Sequence, residues 1–166
     1  MDINIIAAIA KNRAIGLDNN MIYFIKEDLK RFRQLTTGNT VIMGRKTFQS
    51  LPKGALPNRR NIVLTHLKNK FEGCDVYNSL DEALKTVEAN EKVFIIGGAS
   101  VYAEALKIAN RMYLTEIDDI PSKADVFFPE VNKSDWNIIK KEEHKATDTI
   151  PSYSFVNYEK VNKNIR

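Results

Sequence analysis

Three places in this chain carry residues whose types and spacing suit chemistry. The first is Asp28, inside a helical pattern and beside its apolar stripe of Ile25, Leu29, Phe32 and Thr36, which are spaced four, three and four apart. An acid in the first turn of a helix is favoured by the helix dipole, and Glu27 suits that bland role better because it points further toward solvent. A carboxylate half-buried against apolar neighbours instead holds a cationic or amidine-like group through paired hydrogen bonds. The other two places are glycine-bearing passages from an apolar run into a helical pattern, Met43-Gly44-Arg45-Lys46-Thr47 and Ile96-Gly97-Gly98-Ala99-Ser100. A helix N-terminus presents free N–H groups and the positive end of a dipole, which suits a phosphate. Two such junctions in one sheet can hold both ends of an extended phosphate-bearing ligand, with Arg45 and Lys46 adding charge. Taken singly, each junction reads better as a tight turn.

Other chemistries find no support. The phosphate loop G-x-x-x-x-G-K-[ST], the G-x-G-x-x-G fingerprint, the G-x-S-x-G elbow and H-E-x-x-H are all missing from the sequence. Cys74 is the single cysteine, so neither an intramolecular disulfide nor a cysteine-built zinc site can form. His66 and His144 do not stand at metal-ligand spacing, and no metal site is expected.

The elements that must position these residues follow from periodicity. Ile3, Ile5, Ile6, Ala7, Ala8 and Ile9 form a nearly unbroken apolar run, the mark of a strand buried on both faces. Similar runs cover 40–43, 61–65, 92–96 and 112–115. Helical patterns lie between them: 26–36, then 79–87 opening on the capping-box-like Ser79-Leu80-Asp81-Glu82, then 100–108 with Val101, Ala105 and Ile108 on one face. Strands alternating with helices predict an α/β fold, with a mostly parallel central sheet, right-handed crossovers and flanking helices. Residues 136–143 and 153–161 alternate more openly around Pro151 and predict an antiparallel C-terminal hairpin at the sheet edge. No Pro/Gly/Ser-rich linker or repeat divides the chain, so residues 1–166 are expected to form a single domain.

Composition narrows the function classes. Of the 166 residues 43% are hydrophobic and 28% charged, which excludes a disordered, collagen-like or coiled-coil chain. The net charge of +4 permits weak attraction to phosphates. A nucleic-acid binder would gather its basic residues on one stripe, whereas here they are scattered, so no nucleic-acid partner is expected. The opening Met1-Asp2-Ile3-Asn4 lacks a basic region before an apolar run, and no apolar stretch is long enough for a bilayer. A soluble protein of the reducing cytoplasm, without a membrane partner, is the expectation.

Taken together, ordered blocks carry a specific likeness. Ile5-Ile6-Ala7-Ala8, Ala14-Ile15-Gly16, Asp28-Leu29-Lys30-Arg31-Phe32, the run from Val41 to Phe48, Leu56-Pro57-Asn58-Arg59-Arg60-Asn61 and the run from Ile96 to Tyr102 stand in the order and spacing of one family. The chain resembles dihydrofolate reductase of the bacterial type over essentially its whole length. That resemblance implies reduction of 7,8-dihydrofolate to tetrahydrofolate with NADPH, antifolates as inhibitors, and a monomer. Asp28 matches the acid that pairs with the pterin 2-amino group and N3, and Thr115 the threonine joined to it. Ile6, Ala8, Phe32, Leu51, Leu56 and Ile96 match the wall around the pterin and benzoyl rings. Arg59 matches the arginine for the glutamate α-carboxylate, a role suited to a bidentate guanidinium.

The same resemblance places the cofactor. Gly44, Arg45, Lys46 and Thr47 match the first phosphate site, with Arg45 facing the 2′-phosphate and Thr65 and His66 beside it. Gly97, Gly98, Ser100, Val101 and Tyr102 match the junction for pyrophosphate and nicotinamide, and the Gly97-Gly98 peptide is cis in the family. Ala8, Ile15, Gly16, Leu64, Ile96 and Ala99 complete the implied cofactor contacts. The mobile loop departs from the pattern. Most bacterial members carry Pro-Trp after its methionine, where this chain has Met21-Ile22-Tyr23, and Ile25-Lys26 replaces a Leu-Pro step. Tyr23 and Met21 are therefore expected to act in catalysis, with Tyr23 partly replacing the tryptophan that orders a proton-carrying water.

Overall fold

The computed structural model describes residues 1–162, and the last four residues of the predicted domain, 163–166, lie outside that range. In chain order the elements are β1 (Asp2–Ala10), β2 (Ala14–Leu17), β3 (Asn20–Met21), α1 (Lys26–Thr36), β4 (Thr40–Gly44), α2 (Arg45–Ser50), β5 (Arg60–Leu64), β6 (Cys74–Tyr77), α3 (Leu80–Leu84), β7 (Lys92–Gly97), α4 (Ala99–Ala105), β8 (Arg111–Ile117), β9 (Val126–Phe127), β10 (Trp136–His144) and β11 (Tyr153–Lys160). Eight strands form one α/β sheet in the order β10-β11-β8-β1-β7-β4-β5-β6. The strands from β8 to β6 are mutually parallel, and β11 joins antiparallel to β8 with β10 antiparallel beyond it.

The unbroken apolar run of β1 has its reason in this layout. Ile3 and Ile5 pack on one face with Leu80 and Ala83 of α3 and with Val101 and Ala105 of α4. Ile6 faces the other way, with Val41, Met43, Val63 and Phe94, against Phe32 and Leu35 of α1 and Phe48 of α2. Right-handed crossovers place α1 and α2 on one face and α3 and α4 on the other, since the chain runs outward from β1 to β6 and then returns. From β4 the chain moves toward β5, and from neighbouring β7 it moves the opposite way, over β1 to β8. The carboxyl ends of β4 and β7 are thus a topological switch point, where connections diverge and leave a crevice.

The strand and helix patterns read from the sequence recur with local corrections. Leu29 was assigned to the buried stripe of α1, yet it is 42% exposed. The inward face instead runs through Ile25, Asp28, Phe32, Leu35 and Thr36, so the helix is rotated by one position toward the acid. The 100–108 helix ends at Ala105, Ile108 is exposed, and Ala109 closes the core in its place. The 79–87 helix keeps its cap, with Ser79 Oγ accepting from Glu82 N at 3.1 Å, but it stops at Leu84. A second sheet, β3-β2-β9, was not predicted. Its hairpin turns on Asp18 and Asn19, both at positive φ (51° and 61°), the pair of left-handed residues that a two-residue hairpin requires.

Ile42 of β4 is fully buried between β5 and β7. Ile42→Ala should lower unfolding free energy by about 2–5 kcal/mol, with the urea m-value unchanged. A loss below about 1 kcal/mol in urea titration would show that the centre of the sheet repacks freely.

Candidate active site

Asp28 sits on the inward side of the first turn of α1 because Ile25 and Phe32, three residues before and four after, must both reach the core. Thr115, 1% exposed on β8, donates its hydroxyl to Asp28 Oδ1. Burial pushes the Asp28 carboxyl above its ordinary range, while the Thr115 hydrogen bond and the Arg31 charge pull it back. Thr115 uses one of roughly four lone-pair positions on a carboxylate, so Asp28 can still accept from a ligand.

The wall around this acid is apolar. Ile6, Phe32, Leu51, Leu56 and Ile96 belong to the cluster on the α1 side of the sheet, and Ala8 packs with Tyr23 and Ile25 near its edge. Buried Asn61 fixes Leu56, accepting from its N–H and donating to its carbonyl at 2.9 Å each. At the far end of the wall Arg59 is pinned, Nε to the Pro57 carbonyl at 2.8 Å and Nη1 to Thr36 Oγ1 at 3.1 Å. Thr36 lies eight residues beyond Asp28 on the same helix, a rise of about 12 Å. Partial burial and the neighbouring Arg33 charge both lower the proton affinity of Arg59, the setting of a cation that awaits an anion.

The two glycine junctions meet at the switch point. A Cβ on Gly97 would stand 3.0 Å from Thr47 Oγ1, and one on Gly44 3.9 Å from the Gly98 nitrogen. Glycine is required at Gly97, where φ is +141°, and the Gly97-Gly98 peptide is cis. Arg45 lies along α2, donating to Gln49 Oε1 at 3.2 Å, while Lys46 and His66 are exposed. Leu64 ends β5, and the Thr65 hydroxyl accepts from Leu67 N at 3.1 Å. Ala99 and Ser100 open α4, with Ser100 exposed. Val101 and Tyr102 turn inward: Val101 is core, and Tyr102 donates its hydroxyl to the Ile6 carbonyl at 2.8 Å, which braces β1 beneath the pocket. A backbone cradle with free side-chain cations at one end fits a phosphate-bearing dinucleotide.

The loop residues close the remaining side. Ile15 and Gly16 lie in β2, where Gly16 accepts from Asp125 N at 3.0 Å, and Met21 in β3 is 41% exposed. Tyr23 donates its hydroxyl to Asp119 Oδ2 at 2.6 Å, and its ring packs with Ile25, Ile117, Tyr153 and Phe155. Burial and this bond raise the phenol's proton affinity. With its proton given to Asp119, the Tyr23 hydroxyl can take the expected water-ordering role only as an acceptor. Sequence reading missed Asp119, and it missed Arg31, which lies one turn from Asp28 and is held by Tyr113, Phe155 and Asn157. The signal for Arg31 was its i+3 spacing from Asp28.

An acid sunk into an apolar wall beside a glycine cradle at a β-sheet switch point defines an α/β enzyme for a ring-bearing substrate and an extended phosphate-bearing ligand. The family model described as dihydrofolate reductase matches residues 2–160. The dihydrofolate reductase of Bacillus subtilis (strain 168) is 39% identical over 162 residues, covering 96% of this chain and 95% of that protein. That of Neisseria gonorrhoeae is 38% identical over 159 residues, covering 95% and 98%. Among solved structures, dihydrofolate reductase from Enterococcus faecalis complexed with NADP(H) and RAB-propyl superposes with a TM-score of 0.88 at 29% identity, covering 97% of each chain. The chain belongs to the dihydrofolate reductase family, whose members are NADPH-dependent oxidoreductases.

The raised Asp28 carboxyl has a consequence for stability. A carboxyl whose folded affinity for a proton exceeds its unfolded one stabilises the fold only at low pH, and that contribution is lost as pH rises through the folded value. Asp28→Asn should therefore raise the urea midpoint of the ligand-free protein at pH 7, with the gain fading as pH falls through the carboxylate range. A variant less stable than wild type at pH 7 would show that Asp28 is held chiefly for structure.

Proposed function

We propose that this chain reduces 7,8-dihydrofolate to 5,6,7,8-tetrahydrofolate, supplying one-carbon metabolism and thymidylate synthesis, and that the site residues divide the work as follows. NADPH, when bound, supplies the hydride that reaches pterin C6. Asp28, supported by Thr115, accepts from the pterin N3 and 2-amino groups and so fixes the ring face. Its negative charge raises the proton affinity of N5, and a water carries the proton because Asp28 itself sits at the other edge of the ring. Ile6, Ala8, Phe32, Leu51, Leu56 and Ile96 exclude bulk water from the rings, and Arg59 takes the α-carboxylate of the glutamate tail.

The cofactor contacts are assigned on the same basis. Arg45, with Lys46, Thr65 and His66, holds the 2′-phosphate; Gly44, Thr47, Gly97, Gly98, Ala99 and Ser100 let phosphate groups approach the backbone. Ile15, Gly16, Met21 and Tyr23 form the lid over the reacting rings. Leu64, Val101 and Tyr102 support that surface from beneath. The reading takes the chain as a monomer at work in the cytoplasm. The same pocket takes antifolates that mimic the pterin. No nucleic acid or membrane is a partner in this reading.

The observation that carries the reading is Asp28 hydrogen-bonded to Thr115 at one end of α1, with Arg59 bonded to Thr36 at the other, a rise of about 12 Å along the helix. Loss of NADPH absorbance with dihydrofolate tests it. Asp28→Asn should lower kcat near neutral pH by about 10²–10⁴-fold, with the gap narrowing in acid, where solvent protonates N5 unaided. Near-normal turnover at neutral pH would remove the proposed mechanism. A second arm concerns the cofactor: Arg45→Leu should weaken NADPH relative to NADH by about ten- to a hundredfold, since a charge-assisted bond to the 2′-phosphate is lost. Equal weakening of both cofactors would make Arg45 structural.

A further inference from the structure

A second charge lies beside Asp28, on the side of α1 turned toward the C-terminal strands. Arg31 follows Asp28 by three residues, so the two share a helix face. Its guanidinium carbon stands 4.6 Å from the centroid of the Phe155 ring and 5.8 Å from that of Tyr113, and Nη2 donates to Asn157 Oδ1. Strand register explains the clamp. Phe155 is paired with Thr115 and Asn157 with Tyr113 across β11 and β8, and Tyr113 and Thr115 point to the same face. The threonine that bonds Asp28 and the groups that grip Arg31 are therefore neighbours on one patch of sheet.

Resting on the reading of Asp28 as the pterin-binding acid, we infer that Arg31 is its positioning residue: clamped by Phe155, Tyr113 and Asn157, it supplies the fixed positive charge that keeps Asp28 ionised within apolar walls. Held by rings and a neutral amide, the guanidinium faces Asp28 first and Glu142 after it, and partial burial spares the pair much of the screening by salt. The remaining charged and titratable groups here are of other kinds. Glu27 adjoins Asp28, and Glu142 of β10 and the Tyr113 phenol act on Arg31. The phenols of Tyr102 from α4 and Tyr153 from β11 lie within reach of the Asp28 charge, and the His144 ring of β10 packs on Tyr153 and Phe155. The acids and phenols offer Asp28 no positive charge, and His144 Nε2 is turned to Glu142 Oε1 at 3.2 Å, so the cation that acts on Asp28 is Arg31. Without it the site potential becomes more negative, so both Asp28 and N5 of a bound pterin hold their protons to higher pH.

The test follows the Asp28 carboxyl carbon by ¹³C NMR in the ligand-free protein, and the pH at which single-turnover hydride transfer from NADPH to dihydrofolate halves. Arg31→Met keeps length and apolar contact but removes charge, and should move both midpoints upward. Arg31→Lys should hold both near wild type. Asn157→Asp leaves Arg31 in place but sets a carboxylate against it, and should shift both midpoints the same way as Arg31→Met. A merely structural Arg31 would lower rates or melting temperature at every pH without moving either midpoint. Unmoved midpoints in Arg31→Met and Asn157→Asp would overturn the inference, and so would Arg31→Lys displaced as far as Arg31→Met. If Arg31→Met does not fold, Arg31→Lys and Asn157→Asp decide on the same criteria. An NMR shift as expected, in a protein whose wild type does not oxidise NADPH with dihydrofolate, supports the inference and overturns the proposed function instead.

Discussion

A carboxylate on the inward face of a helix works against folding, and the site is arranged around that one unfavourable placement. An apolar side chain at position 28 would continue the stripe from Ile25 to Phe32 and Leu35, whereas Asp28 must lose solvent without a bonded cation. Thr115 and Arg31 reduce that penalty from two sides without removing it. A ligand that presents donors to the carboxylate and covers the apolar wall recovers the remainder. Destabilisation in the empty state thus becomes affinity and orientation in the occupied one.

The rest of the architecture follows from where that acid must lie. Because α1 carries both Asp28 and Thr36, it sets the distance between the acid and the anchor of Arg59. The antiparallel β11 does more than extend the sheet: its register against β8 sets Phe155 and Asn157 opposite Thr115 and Tyr113. On the other side, the parallel core from β1 to β5 brings two glycine junctions together at the switch point, where backbone can approach phosphate closely. In the proposed reading, substrate and cofactor surfaces meet toward the carboxyl ends of β1 and β7, where Ala8 and Ile96 are assigned to both.

How much was legible in the sequence varied with the kind of interaction. Strands buried on both faces announce themselves as apolar runs, which is why β1, β4, β5, β7 and β8 are legible while the short, less apolar β6 is not. The rotation of α1 was less legible, because the pattern assigns a charge to solvent and so preferred Leu29 to Asp28 as the inward residue. The β2-β3 turn escaped because Asp18 and Asn19 adopt positive φ, a conformation that glycine would have advertised. Asp28, Arg59 and the glycine junctions were ambiguous one by one, and became specific only as an ordered set. The Arg31 clamp and the Tyr23–Asp119 bond depend on strand register and loop approach over separations of about a hundred residues, which local spacing does not encode.

The central claim is that an ionised Asp28 draws a proton onto the basic ring it binds. Ultraviolet difference spectra of a bound 2,4-diaminopyrimidine antifolate, taken across pH, report directly whether that ring is protonated. Wild type should hold the ligand as its cation well above the pH at which the free compound loses its proton, and Asp28→Asn should hold it neutral over the same range. A neutral ligand on wild type, or the same cationic spectrum on Asp28→Asn, would contradict the account.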